Sequence, residues 1–203
     1  MSSKFLPESK GKQVVLASKS PRRAELLGLC GIRSFKVHPS THPEDLPKEL
    51  APAEYARLTA VAKGEDVFRD LSRLGQDDVI VLSADTVVEG EPGRIWEKPA
   101  DAADARSMLT SLSGRAHNVH TGVALVTSGT MDSFVVTTAV TFVDLEEDDI
   151  DAYIEGGSPM DKAGAYGIQD GWMVESIQGD YFAVVGLPVS RVAKAIKKLL
   201  VVG

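Results

Sequence analysis

Two rhythms of apolar residues alternate along the chain, one repeating about every second position and the other about every 3.6. Val14-Val15-Leu16-Ala17 is a short apolar run that stops at Ser18-Lys19-Ser20-Pro21, and Arg22 to Leu29 then carries helix formers ahead of Gly31. The pattern predicts a strand, a tight turn and a helix, with Ser20 at the N-cap and Pro21 at the first helical position, where a missing N–H costs nothing. Phe35 to His38 predicts a second short strand. His38 to Leu50 holds three prolines and mixed charge, and is expected as a loop over the mouth of a site. From Ala53 to Leu71 the residues Tyr55, Leu58, Val61, Ala62, Val67 and Leu71 recur at helical spacing, which predicts a long amphipathic helix broken near Gly64. Val79 to Ala84 is the most apolar segment and predicts a central strand buried on both faces, with Asp85 standing at its end.

Downstream, Ile95 to Pro99 is expected to be extended and Asp101 to Leu112 to be a helix capped by Asp101. Val119 to Val126 and Phe134 to Val143 alternate as an antiparallel pair turning near Ser128-Gly129-Thr130. Asp149 to Glu155 is predicted as a helix ended by Gly156-Gly157, and Val189 to Leu200 as a closing amphipathic helix with basic residues near its C-terminus. The expected architecture is α/β, a mixed and strongly twisted sheet flanked by helices. Val14 to Ala17 and Val79 to Ala84 should lie side by side, with a ligand outside their carboxyl ends. Residues 1–12 are expected to be a flexible extension and residues 13–203 a single catalytic domain.

Composition narrows the function. The 203 residues are 43% apolar and 25% charged, enough for one substantial core. Lys and Arg number 22 against 29 Asp and Glu, a net charge of −7 that repels polyanions such as duplex DNA. Cys30 is the single cysteine, so no internal disulfide forms, a reducing cytosolic setting is expected, and packing is its expected role. The first residues lack the apolar region of a secretory signal, and no apolar run approaches the ~20 residues of a membrane span.

Four segments carry candidate chemistry. Ser18-Lys19-Ser20-Pro21-Arg22-Arg23 places hydroxyls and guanidiniums where a strand enters a helix N-terminus, a setting that suits phosphate; the alternative is a capped helix with two solvated arginines. Asp85-Thr86 puts a carboxylate and a hydroxyl after the central strand, where Asp either holds a metal or takes a proton from water, or else begins a turn. Lys63 and Lys98 offer ammonium groups to a phosphate chain. Asp161 to Gln169 is rich in small residues that let backbone approach a ligand, and Gln169 supplies both donor and acceptor. The four histidines, His38, His42, His117 and His120, share no face that suits zinc. Magnesium fits better, since it takes one or two carboxylates plus substrate phosphates: Asp85, with Glu44 or Asp45 from the loop as the second carboxylate. Manganese is the expected substitute. A serine hydrolase is excluded by the lack of a Gly-x-Ser-x-Gly elbow.

Leu16-Ala-Ser-Lys-Ser-Pro-Arg-Arg-Ala-Glu-Leu-Leu27, Ala84-Asp-Thr86, Glu97-Lys-Pro99, Leu112-Ser-Gly114 with His117 and Thr121-Gly122-Val123, Lys162 to Gln169 and Gly186-Leu-Pro188 appear in the order seen in one known family. In these blocks the chain resembles the Maf-like nucleotide pyrophosphatases. The resemblance implies an elongated fold akin to the inosine triphosphate pyrophosphatases, with a cleft between two lobes. It also implies cleavage of nucleoside triphosphates between the α and β phosphates, and a homodimer. Carried over at matching positions, it assigns function to Ser18, Arg22, Arg23, Lys63, Asp85, Lys98 and Gln169, with Asp85 as proton acceptor. Arg22, Thr86 and Gln169 match the subgroup that prefers dTTP and UTP. Ala116, His120, Asp170 and Ala183 depart from the usual pattern. The family's name comes from effects on septum formation, so a non-catalytic nucleic-acid or cell-division regulator is the competing expectation.

Overall fold

The computed structural model describes residues 12–91 and 93–202, so the expected extension lies, Lys12 apart, outside the described residues. They form a seven-stranded mixed sheet in the order β2-β1-β3-β5-β6-β7, with β4 paired to β3 off this path. The strands are β1 (Gln13–Leu16), β2 (Phe35–Val37), β3 (Val79–Glu89), β4 (Ile95–Trp96), β5 (Ala116–Val126), β6 (Met131–Phe142) and β7 (Val174–Gln178). β1 lies parallel to both β2 and β3, and the remaining pairs are antiparallel. The helices are α1 (Pro21–Leu29), α2 (Pro52–Arg73), α3 (Ala102–Leu112), α4 (Glu147–Glu155), α5 (Tyr181–Val185) and α6 (Val189–Val202).

The two edges of β3 position the site. One edge pairs with β5 without interruption from Val81 to Glu89. The other pairs with β1 only as far as Leu82, extended by the Ala17 N–H to Leu82 carbonyl bond of 2.8 Å, and then with β4 from Val88. Among the described residues no strand covers Ser83 to Val87 on that edge. The sheet therefore has a notch in its middle. Asp85 does not end its strand, as the sequence suggested: the ladder with β5 carries β3 on for four more residues, and what ends near Asp85 is the neighbour, β1.

Alternation along β3 assigns its two faces to different helices. Val79 and Val81 face α2, packing on Val67 and Leu71. Ile80, Leu82 and Ala84 face α1 and α6, packing with Leu26, Leu27, Val192 and Ile196. Beyond the notch, Val88 belongs to a separate core with Leu109 and Leu112 of α3, Phe142 and Ile150. Two apolar cores on the same face thus flank the notch.

α2 runs unbroken through Gly64. A Cβ there would lie 2.7 Å from Ser83 Oγ and 3.0 Å from Val126 Cγ2, so this glycine serves close packing of helix on sheet rather than a break. Ser20 occupies the N-cap of α1 with extended backbone, but its side chain does not cap; the Ser20 N–H instead donates to Ser18 Oγ at 3.2 Å. Asp101 does cap α3, accepting from Asp104 N–H at 2.9 Å. Among the described residues no helix is long and apolar enough to cross a membrane.

Candidate active site

The notch opens into a cleft of about 620 Å³ lined by Ser18, Arg22, Arg23, Glu44, Lys63, Asp85, Thr86, Lys98 and Gln169, so these residues singled out from the sequence face one space. Asp45, the alternative to Glu44, is not among the lining residues. The size suits a small organic ligand.

On the α2 face of β3, Asp85 is buried at 5% exposure and its Oδ1 accepts from Lys63 Nζ at 2.8 Å. The same ammonium lies 2.7 Å from Glu44 Oε1, so Lys63 bridges the strand to the loop of residues 38–50. Burial pushes the Glu44 carboxyl up, but Lys63, with Lys98 and Arg23 farther off, outweighs it and holds the group below its ordinary range. Asp85 Oδ2 is buried without a hydrogen-bond partner. A buried carboxylate oxygen left so is costly unless a ligand, ion or water meets it.

The loop carrying Glu44 is tied down twice. Asp66 of α2 accepts from Ser40 Oγ at 2.7 Å and from the Thr41 and His42 N–H groups at 3.1 Å. Lys48 donates to Glu97 Oε2 at 2.6 Å, and Tyr55 Oη, wholly buried, donates to Glu97 Oε1 at 3.0 Å. Glu97 thus anchors the loop beside exposed Lys98. Sequence reasoning used Tyr55 only as a core position and passed over Glu97 within its motif. The Glu97-Lys98-Pro99 block was the available signal.

On the opposite face, Arg23 is the hub. Its Nε donates to the Gly186 carbonyl at 3.0 Å, Nη1 to Ser18 Oγ at 3.3 Å and Nη2 to Thr86 Oγ1 at 3.2 Å. Burial lowers its pKa, opposed by the nearby Asp85 and Glu44 charges. Arg22 spans the cleft to Asp161, with Nη1 3.0 Å from Oδ2. Thr86, Val88, Val119, Tyr166, Ile168, Val184 and Val185 line this side, with Gln169 at its exposed rim. Apolar side chains thus make up most of this chamber, with few polar groups among them. Tyr166 is fixed from behind by His117, whose Nε2 lies 2.8 Å from its Oη. His120 in turn lies with Nδ1 2.9 Å from Thr137 Oγ1, and among the described residues no cluster of three or more His, Cys, Asp or Glu side chains forms a metal cage.

The sequence profile described as "Maf-like protein" matches residues 13–199. The chain belongs to the Maf-like family. This Maf-like protein is 43% identical over 189 residues to a dTTP/UTP pyrophosphatase of Bacillus cereus (strain ATCC 10987 / NRS 248), covering 92% of this chain and 90% of that protein. It is 42% identical, again over 92% of its length and 95% of the other's, to a dTTP/UTP pyrophosphatase of Bacillus thuringiensis subsp. konkukian. A solved HAM1 protein from Coxiella burnetii aligns over 92% of this chain and 99% of its own at 14% identity with a TM-score of 0.46, a likeness too distant to carry an argument.

Proposed function

We propose that this Maf-like protein hydrolyses nucleoside triphosphates, dTTP and UTP by preference, to the monophosphate and pyrophosphate. The observation that carries the reading is the buried, unpartnered Asp85 Oδ2, set beside Lys63 in the same cleft as the Ser18 to Arg23 turn. Its relatives named for that activity support it.

In this reading Asp85 takes the proton from a water aimed at the α-phosphorus, and Lys63 holds the carboxylate in place. Ser18 and Arg23 receive phosphate oxygens at the entrance to α1. Arg22 and Lys98 balance the charge that grows on the departing pyrophosphate. Asp85 Oδ2 and the Glu44 carboxylate fit a hard divalent cation, magnesium or manganese, because both are oxygen donors close to one another through Lys63. When bound, that ion supplies Lewis-acid polarisation of the phosphate oxygens. Thr86, Gln169 and Arg22 surround the base. The reading further takes the protein to work in the cytosol as a homodimer, a state that light scattering of the purified chain measures.

The deciding experiment incubates the protein with a panel of triphosphates and magnesium and separates the products. Pyrophosphate and monophosphate, with dTTP and UTP consumed fastest, are expected. Inorganic phosphate and diphosphate would place the cut elsewhere and sink the reading.

A further inference from the structure

Two polar groups on the base side differ in how freely they choose between donating and accepting. Gln169 has no hydrogen-bond partner among the described residues and sits exposed at the rim of the cleft. An amide so placed turns by half a rotation and swaps its donor for its acceptor. Uracil shows a carbonyl beside a ring N–H, and cytosine shows an amine beside a bare ring nitrogen, the reverse pattern at the same two positions. Gln169 matches either one after a flip, so it cannot by itself separate them.

Thr86 has no such freedom. Thr121, fully buried on β5 directly across from Thr86, donates its one hydroxyl proton to the Ala183 carbonyl at 2.7 Å. The 3.0 Å contact between the two threonine oxygens is then a hydrogen bond only if Thr86 is the donor. Arg23 Nη2, which can only donate, fills one lone pair of Thr86 at 3.2 Å. The chain runs one way, from guanidinium to Thr86 to Thr121 to carbonyl. Thr86 has used its proton and keeps one lone pair for a ligand in the cleft that it lines.

We propose that Thr121, acting through this one-way chain, makes Thr86 an obligate acceptor facing the ring nitrogen of the base, so that the ring N–H of uracil or thymine is admitted and the bare ring nitrogen of cytosine is refused. The proposal rests on the pyrimidine reading above and adds Thr121 as a positioning residue that sets uracil against cytosine. A lone pair held against a lone pair is the kind of mismatch that discriminates by about tenfold or more.

The test is equilibrium binding of UMP and CMP by titration calorimetry, which needs no turnover. The wild-type protein should favour UMP by about tenfold or more. Thr121→Val keeps the shape but removes the hydroxyl, releasing the Thr86 proton; CMP should then bind more tightly than to wild type and the ratio should fall toward one. A general loosening of the site would weaken both ligands instead. Thr121→Ser restores a hydroxyl and should restore the ratio. Should Thr121→Val not fold, the wild type still decides: in mildly acidic buffer cytosine gains a ring N–H, the phosphate titration common to both ligands cancels, and the UMP preference should narrow. Equal binding of UMP and CMP by wild type, a ratio untouched in folded Thr121→Val, or a preference that stays constant into acid each overturns the proposal. If instead the UMP preference depends on Thr121 while no triphosphate is cleaved, the pyrophosphatase reading fails and the proposal stands.

Discussion

Asp85 shares one oxygen with Lys63 and leaves the other unpaired, and that asymmetry defines what its replacement should do. Asp85→Asn keeps the size and one acceptor but cannot take a proton, so turnover should fall by at least about 100-fold while binding of a triphosphate, followed by calorimetry, survives. Retained turnover in the folded variant would remove Asp85 from its role. Gln169→Ala should raise the relative use of purine triphosphates by removing a group that pairs with pyrimidine edges, while the UMP-to-CMP ratio holds, because Thr86 keeps its polarity. A lost ratio in that variant would return base selection to Gln169. His117 offers a prediction independent of function. Its burial lowers the imidazole pKa to about 4 from an ordinary 6.5. Between those values the unfolded chain binds a proton that the folded chain refuses, so the contribution to stability is complete above about 6.5 and drains away as pH falls toward 4. Urea midpoints from neutral pH to about 4.5 should reveal a loss on the order of 2 kcal/mol from this group, most of which His117→Gln abolishes. Parallel pH curves for the two proteins would contradict it.

At the scale of elements, the sequence was most legible where local chemistry acts alone. Ser20-Pro21 opens α1, Asp101 caps α3, and the apolar alternation of β5 and β6 marks a long hairpin, all readable without knowing what packs on them. It was least legible where the cause is a neighbour. Gly64 resembles a helix breaker in isolation, and its purpose appears only when Ser83 and Val126 are seen against it. Gly64→Val should leave helix content largely unchanged yet destabilise the fold by about 1–3 kcal/mol in urea, because the added carbons have no room; an unaltered midpoint would mean α2 can lift off the sheet freely. β7 escaped notice because Val174 to Gln178 is an edge strand with a largely exposed pattern, and α5 because five residues are too few for a helical period. Those two omissions mattered for the site. The Ala183 carbonyl that orients Thr121 belongs to α5, so the proton chain could not have been drawn from sequence motifs, although Thr86 and Gln169 could be picked out from them.

Over the whole molecule, the cleft draws on α1, the loop of residues 38–50, α2, β3 and the turns from Asp161 to Gln169, with Arg22 to Asp161 as a bridge across it. A ligand that fills this space touches all of these parts at once. UMP at about 100 times its Kd should therefore raise stability by about 2.7 kcal/mol through binding linkage, seen as a higher melting temperature in wild type. A melting temperature indifferent to UMP would argue against the cleft as its site. β3 runs through the centre of all this with Asp85, the proposed proton acceptor, on one face and Thr86 on the other. Odd and even positions of a single strand are thus inherited as separate traits. Under the proposed reading, a point substitution at 86 or 88, both of which line the cleft, alters which molecules are accepted and leaves Asp85 in place, so lineages can diverge in diet one nucleotide change at a time. An inserted or deleted codon between Leu82 and Asp85 would exchange the two faces at once. Descendants of this protein should therefore vary β3 where it lines the cleft while keeping its one length.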